Sequence, residues 1–332
     1  MKNVHIFYHI DTDGKAAGFF AMEYFRNSEN IPDENIMLYP INYSYKISFD
    51  GIESSDTVVI VDFSFEPTDM NKVLEITDSV IWIDHHVTAI KKYDNKFPDN
   101  NFAGIRHIGL SGAMLTWIYF NKLEECSCDE GRYTNIELTA EDAISYKKAA
   151  PLFLQLVNDH DIWEYAFKDS TADFQTYVRA VPSEPNDPIW KGLLIDSARD
   201  INDSQTMLYR MITSGHTMNI YKASFESDYV KRLSFDVMFE GHLCRAVNLA
   251  LCNSSVFDSV KNDKYDMYIT FSYNGNMYNY SLYSDKLDVS EIAAKYGGGG
   301  HRGAAGFRTS KFVLINHDVQ FAGRPRWNFG QD

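Results

Sequence analysis

Within its first ninety residues the chain repeats one pattern three times: a short apolar, β-rich run stops abruptly at an acid or a histidine. The runs are Val4–His9 before Asp11, residues 58–61 before Asp62, and Val80–Ile83 before Asp84-His85-His86. Continuous apolar runs of this length mark strands buried on both faces, as in a parallel sheet. Residues 16–25 and 70–76 carry apolar side chains at helical spacing, so strand and helix alternate. The alternation predicts an α/β chain with a doubly wound parallel sheet in its N-terminal domain. Ligands of such sheets bind beyond the carboxyl ends of the strands, which would gather the three polar clusters at one edge.

Further along, a helix is expected over 111–120 with Ser111 as its N-cap, and another over 145–157, ending in Asn158-Asp159-His160-Asp161. The proline-rich stretch 181–188 reads as a loop. Residues 204–234 read as largely helical, interrupted near Gly215, and connect a catalytic domain over 1–203 to a second domain over 235–332. The second domain opens with strand-like Phe235–Phe239 and 243–251. A hairpin follows, in which 266–273 and 277–283 flank Asn274-Gly275-Asn276; Asn-Gly supplies the positive φ angles of a tight turn. A short helix over 290–295 then enters Gly297-Gly298-Gly299-Gly300-His301. The expected whole is the doubly wound domain plus a smaller α/β domain with a mixed sheet, the active site lying in the cleft between them.

Five local patterns carry chemistry. In Asp11-Thr12-Asp13-Gly14 two carboxylates one residue apart follow a strand, where both can point at one cation or serve as a helix cap. His9 adds a nitrogen donor. Asp62 closes its strand alone and fits either a ligand or a turn-capping residue. Two consecutive histidines behind Asp84 are harder to explain as packing, since imidazole is a good transition-metal ligand and a neighbouring carboxylate fixes its tautomer. Asp159, with Asp161 as its rival, adds a further acid at a helix end. Gathered at one sheet edge, these acids are prohibitively repulsive without cations. Two divalent ions would compensate them and activate hydroxide for phosphoryl displacement. The mixed oxygen and nitrogen donors suit manganese, iron or zinc better than magnesium alone. Late in the chain, Gly298, Gly299 and Gly300 can bring backbone amides up to an anion, with His301 and Arg302 as charged donors.

Charge narrows the partner. With 31 basic and 46 acidic residues, net −15, the chain repels long duplex nucleic acid, which is gripped chiefly through its phosphates. A short oligonucleotide or small nucleotide substrate fits better. No apolar run approaches the ~20 residues of a membrane span, and MKNVHIFYHIDTDG does not read as a signal peptide. The four cysteines, Cys126, Cys128, Cys244 and Cys252, form no CxxC pair, pointing to a reducing, cytoplasmic setting. Oligomeric state is not legible.

In order, the His-x-Asp-x-Asp-Gly box, Asp62, Asp84-His85-His86, Asp159 and Gly-Gly-Gly-Gly-His301-x-x-Ala-Ala-Gly306 resemble the DHH phosphoesterases with a DHH-associated C-terminal domain. That superfamily includes nanoRNases, RecJ-type exonucleases and cyclic dinucleotide phosphodiesterases, and the match runs from residue 4 to about 307. The resemblance implies a manganese-dependent phosphodiesterase. Asp11, Asp13, Asp62, His85 and Asp159 would be metal ligands, with His9 a further candidate and Asp62 the bridge. Catalytic duties would fall on His86 at the substrate phosphate, on His85, and on Asp84 as the group orienting the site; the glycine loop would hold the nucleotide. Two departures stand out: Phe7 where some relatives have histidine, and Tyr283 where relatives often carry arginine in Ser-Leu-Arg-Ser. Tyr283 is then either a base-stacking residue or one more half-buried strand tyrosine. The expected substrate is a short oligonucleotide, with a cyclic or linear dinucleotide or a 3′-phosphorylated nucleotide as alternatives. A catalytically dead nucleotide sensor is the alternative from another class, and it should have lost acidic ligands that are all present here.

Overall fold

The computed structural model describes residues 2–43, 45–97, 102–125, 133–196 and 199–314. The chain forms two compact units, Met1–Asn219 and Ile220–Asp332. In the first, β1 (Val4–His9), α1 (Thr12–Asn27), β2 (Ile36–Ile41), β3 (Thr57–Val61), α2 (Pro67–Ile76), β4 (Val80–Ile83) and α3 (Val87–Lys96) follow one another. The strands pair in parallel in the order β2-β1-β3-β4. Successive strand residues point to opposite faces. Ile6, Tyr8, Val59, Val61, Ile81 and Ile83 therefore enter one core with α1. Phe7, Val58, Ile60, Val80 and Trp82 enter a second, with Met70 and Val73 of α2 and Tyr93 of α3. The sheet is doubly wound. Its order reverses between β1 and β3, the switch point at which open α/β sheets place their ligands.

β2 was not among the expected strands. Five of its six residues are only partly buried or exposed, and Pro40 breaks the apolar run. A proline lacks the N–H that a central strand would need, and β2 is an edge strand, where that loss is tolerated.

The first unit continues through α4 (Gly112–Glu125), α5 (Ala140–Ala149), α6 (Leu152–Asp161), α7 (Asp169–Ala180), α8 (Pro188–Asp196) and the start of α9 (Met207–Leu233). The single helix expected over 145–157 is two. α5 stops before Pro151, which then serves as N-cap of α6, because its ring and missing N–H forbid a continuous helix there. α6 also extends to Asp161, so both candidate acids lie within the helix. The interruption expected near Gly215 does not occur. Gly215 marks the crossing of α9 over α7, where a Cβ would stand 1.8 Å from the Asp173 carbonyl oxygen. Among the described residues no helix is long and apolar enough to cross a membrane.

The second unit contains β5 (Phe235–Phe239), β6 (His242–Asn248), β7 (Met267–Tyr273), β8 (Tyr278–Tyr283), α10 (Val289–Ala294), β9 (Gly299–His301) and β10 (Ala304–Thr309). They build a mixed sheet in the order β5-β6-β7-β8-β10-β9, with β6 and β7 parallel and the other neighbours antiparallel. The hairpin forms where Asn-Gly predicts it. Gly275 adopts φ +92°, and Asn274 Oδ1 accepts from the amides of Asn276 and Met277. β6 ends at Asn248 rather than 251, and Leu251 has left extended backbone at φ +58°. Cys244 and Cys252 are free thiols; Cys126 and Cys128 lie outside the described residues.

Candidate metal centre

The polar ends of β1, β3 and β4 meet the last turn of α6 at the switch point. Asp11 follows β1 as N-cap of α1, its Oδ1 accepting from the Gly14 amide at 2.9 Å and its Oδ2 lying 2.8 Å from His9 Nδ1. Gly14, in the first turn of α1, lets that helix approach β1. A Cβ there would stand 2.2 Å from the His9 carbonyl oxygen. Asp13, only 3% exposed, turns inward to the start of α4, where its carboxylate accepts from the amides of Gly112 at 2.6 Å and Ala113 at 3.1 Å. The helix dipole favours an anion at that end.

Asp62 sits between these groups. It adopts φ +52°, a conformation costly for a residue with a Cβ. The α4 backbone closes over it at Gly112, where a Cβ would lie 2.4 Å from that of Asp62. One carboxylate oxygen stands 3.1 Å from His85 Nε2 and the other 3.8 Å from His9 Nδ1. His85 Nε2 lies 3.4 Å from Asp161 Oδ2. Ligand-type atoms form three overlapping groups among the described residues, Asp13/His85/Asp161, His9/Asp11/Asp62 and Asp62/Asp84/His85/His86, each with members within 4.8 Å of one another. Asp62 thus reaches His85 with one carboxylate oxygen and His9 with the other.

Asp84, fully buried at the end of β4, orients its neighbours. Its Oδ1 accepts from the amides of His85 and His86 and lies 2.7 Å from His86 Nδ1, while Ser64 Oγ donates to Oδ2. With Nδ1 engaged, His86 keeps Nε2 for another partner. Ser64 carries no signal in the sequence that would have singled it out. Neither does Tyr43, whose ring centre lies 5.8 Å from that of His9 and 6.5 Å from that of His86.

Asp159 does not join the cluster. Its Oδ1 accepts from the Ala166 amide at 2.7 Å, and its Oδ2 accepts from the Phe167 amide and the Thr171 hydroxyl. Two positions apart on a helix, residues point to nearly opposite sides. Asp161 therefore faces the cluster and Asp159 the loop that follows α6. The fourth acid of the site is Asp161.

The electrostatics ask for cations. Burial pushes the Asp62 carboxyl well above the usual carboxylate range, and Asp13, Asp11 and Asp161 add like charge. Asp161 is pushed up to about 8, first by burial and then by Asp13 and Asp11. Burial raises Asp13 as well, against the opposing charge of His85. Burial depresses His85. Asp84 goes the other way: burial would raise it, but its hydrogen bond to His86 helps hold it below the usual range, and Asp84 raises His86 in return. Asp62 Oδ1, His85 Nε2 and Asp161 Oδ2 are all buried and, among the described residues, make no hydrogen bond. Buried polar atoms without partners are rare. Three that converge, in a set of carboxylates and imidazoles, fit divalent metal ions.

In the second unit the glycine run has a structural origin at most of its positions. Gly297 (φ +76°) and Gly298 close α10, their amides donating to the carbonyls of Ala294 and Ala293 in a Schellman cap. Gly298 and Gly300 then press against β10, where Cβ atoms would come within 2.1 Å of the Gly306 carbonyl oxygen and 2.6 Å of Ala305 Cα. Gly299 has open space around it. His301 and Arg302 are exposed at this sheet edge. Tyr283 takes the packing role: it lies against a buried cluster of Val230, Val247 and Phe257, and its hydroxyl donates to the Cys252 carbonyl.

No protein-family model matches the chain. It is 25% identical over 317 residues to an uncharacterized protein of Acanthamoeba polyphaga mimivirus, covering 90% of this chain and 65% of that one. The chain thus spans about two-thirds of the length of the curated relative it matches. Its structure is similar to that of a DHH domain from a member of the S1p family of ribosomal proteins, with TM-score 0.50 and 15% identity over 92% of this chain and 82% of that one. A crystal structure of exonuclease RecJ bound to manganese gives TM-score 0.48 and 12% identity, covering 92% of this chain and 85% of that one. The chain has the DHH-domain fold, with Asp84-His85-His86 at the end of its fourth strand.

Proposed function

We propose that the protein is a two-metal phosphoesterase that hydrolyses phosphodiester bonds in short oligonucleotides. One observation carries this reading: Asp62 Oδ1, His85 Nε2 and Asp161 Oδ2 converge, buried and without hydrogen bonds among the described residues, at the switch point of a parallel sheet. His9, Asp11, Asp13, Asp62, His85 and Asp161 would hold two divalent ions; the donor set suits manganese, iron or zinc, and likeness to the DHH phosphoesterases favours manganese. Bound there, the ions would supply charge for the developing oxyanion and lower the pKa of water at the site.

The chain's own groups do the rest. Asp84 fixes the His86 tautomer through Nδ1 and leaves Nε2 to donate to the substrate phosphate or the leaving oxygen. Because Asp84 also raises His86, that proton is held at higher pH than on a free imidazole. Asp13, tied to the α4 amides, keeps α1 and α4 locked around the cluster. In the second unit, Gly299, His301 and Arg302 are assigned to the nucleotide by likeness of motif.

The net charge of −15 supports a short substrate over a polymer. The test is turnover of di- to pentanucleotides, cyclic dinucleotides, 3′-phosphoadenosine phosphate and longer single strands with manganese. A chelator and the double variant His85→Ala, His86→Ala serve as controls. Turnover surviving in that variant would refute the mechanism, and preference for a cyclic dinucleotide would replace the substrate.

A further inference from the structure

The segment that follows Asp161 is built at a conformational cost that packing does not explain. Trp163, Tyr165 and Lys168 adopt φ of +59°, +50° and +55°. Seven non-glycine residues do so among the described residues, and three of them fall within these six positions. Side chains with a Cβ disfavour that region, so it persists only where the surroundings impose it. Asp159 imposes it. Its carbonyl oxygen accepts from the amides of Glu164 and Tyr165, and its carboxylate from Ala166, Phe167 and Thr171. Glu164 is further tied to Lys147 of α5 by an ion pair.

This fixed loop puts aromatic rings into water rather than into a core. Trp163 is 77% exposed and Tyr165 37%. The two rings meet edge to face with centres 6.0 Å apart, and Tyr165 stands edge-on to His160 at 6.3 Å. A lone exposed aromatic is ordinary. A pair of them in edge-to-face contact, two and four residues beyond Asp161 of the acidic cluster, on a strained loop stapled by a buried carboxylate, is not explained by chance exposure.

We infer that Trp163 and Tyr165 form a stacking platform for a nucleobase of the substrate whose phosphate lies at the metal cluster. This rests on the phosphoesterase reading of that cluster. Any base offers a π-face, so stacking on indole and phenol binds a nucleotide while tolerating its sequence. The role of Asp159 follows: it is a positioning residue that holds the platform, while Asp161 on the opposite side of the same helical turn faces the cluster.

The test compares a dinucleotide with its counterpart lacking one base, using wild type, Trp163→Ala, Trp163→Phe and Tyr165→Ala in the presence of manganese. Trp163→Ala is expected to raise KM for the dinucleotide about 5- to 100-fold, the range of single base–aromatic stacking losses. Its kcat should stay near wild type, the abasic substrate should be unaffected, and Trp163→Phe should recover most of the loss. Circular dichroism checks that each variant is folded. A second readout needs no turnover: nucleotide should quench tryptophan fluorescence of chelator-treated wild type and not of Trp163→Phe. If no phosphodiester is hydrolysed while that quenching is present, the phosphoesterase reading fails and the platform stands. If KM is unchanged in Trp163→Ala, or rises equally for both substrates, or if no quenching depends on Trp163, the platform is overturned.

Discussion

Asp161 Oδ2 stands 3.4 Å from His85 Nε2, and both atoms are buried with no hydrogen bond among the described residues. Two residues earlier Asp159 has both carboxylate oxygens engaged. The two acids should therefore respond oppositely to neutralisation. Asp161→Asn is expected to weaken manganese binding at least about tenfold, the scale of losing even an outer-shell partner, with little loss of stability in the metal-free protein. Asp159→Asn is expected to lower unfolding free energy by about 1–3 kcal/mol, since it strips charge from an acceptor of buried donors, and to spare more of the metal affinity. Titration calorimetry and thermal melts on both variants decide. The reverse pattern would restore Asp159 as the ligand.

The same cluster predicts a pH dependence. In the metal-free protein Asp161 is pushed up to about 8, and Asp62 and Asp13 are raised as well. An acid with a raised native pKa binds more protons folded than unfolded. The slope is then negative, and stability falls as pH climbs from the ordinary carboxylate range towards 8. His86, raised by Asp84, works in the same direction. Chelated protein should therefore melt at a lower temperature near pH 9 than near pH 7. Manganese at about a thousand times its Kd should raise the melting temperature by roughly 10 °C and shrink the difference. Binding near pH 7 should release protons, seen as heats that vary with buffer ionisation. Identical melting of chelated protein at the two pH values would contradict the cluster as drawn.

What could be read from the residues was what the chain writes locally. Asp11, Asp62 and Asp84-His85-His86 stand at the ends of apolar runs, and a parallel sheet brings such ends together whatever the loops do. The choice between Asp159 and Asp161 is different in kind, because it depends on helical phase. Ending the helix at 157 left both acids in a loop; only its continuation to Asp161 gives them opposite directions. β2 was hidden because an edge strand need not be apolar on both faces. The glycine run has structural uses that its sequence does not separate from binding, since Gly297 and Gly298 cap a helix and Gly298 and Gly300 make room for β10. Close approach between distant segments leaves no local trace beyond the glycine itself.

Gly112 gives the sharpest case of such an approach within the site. A Cβ there would lie 2.4 Å from Asp62 Cβ and 2.6 Å from its Oδ1. Its amide is also the 2.6 Å donor to Asp13. Gly112→Ala should force α4 away from both acids at once, costing about 1–3 kcal/mol as overpacking does and lowering kcat by about a hundredfold through misplacement. Gly51→Ala, at a position with open space and φ +85°, controls for backbone strain alone and should leave turnover intact. Equal turnover in Gly112→Ala and wild type would show that the helix end can shift without moving Asp62.

At the opposite end of the sheet a second buried polar group has no part in the chemistry. His5 and Asp56 are 2% and 0% exposed; His5 Nε2 lies 3.1 Å from Asp56 Oδ2, and His5 Nδ1 lies 3.1 Å from the Tyr39 hydroxyl. Asp56 also accepts from the amides of Asn3 and Glu53, so it ties the starts of β1 and β3 together. Burial alone would raise its carboxyl, but the Glu53 and Asn3 amides and His5 together hold it below the usual range. The sign is then opposite to that of the metal cluster. A depressed native pKa stabilises above the unfolded value and is lost as pH falls through the folded one, so Asp56 contributes to acid unfolding below about pH 4. Asp56→Asn should cost about 1–3 kcal/mol near neutrality and flatten the acid limb of the stability curve. Manganese affinity should not change, because strand starts and strand ends are separated by the length of the sheet. A variant that lost metal binding together with stability would mean that this end of the sheet governs the geometry of the other.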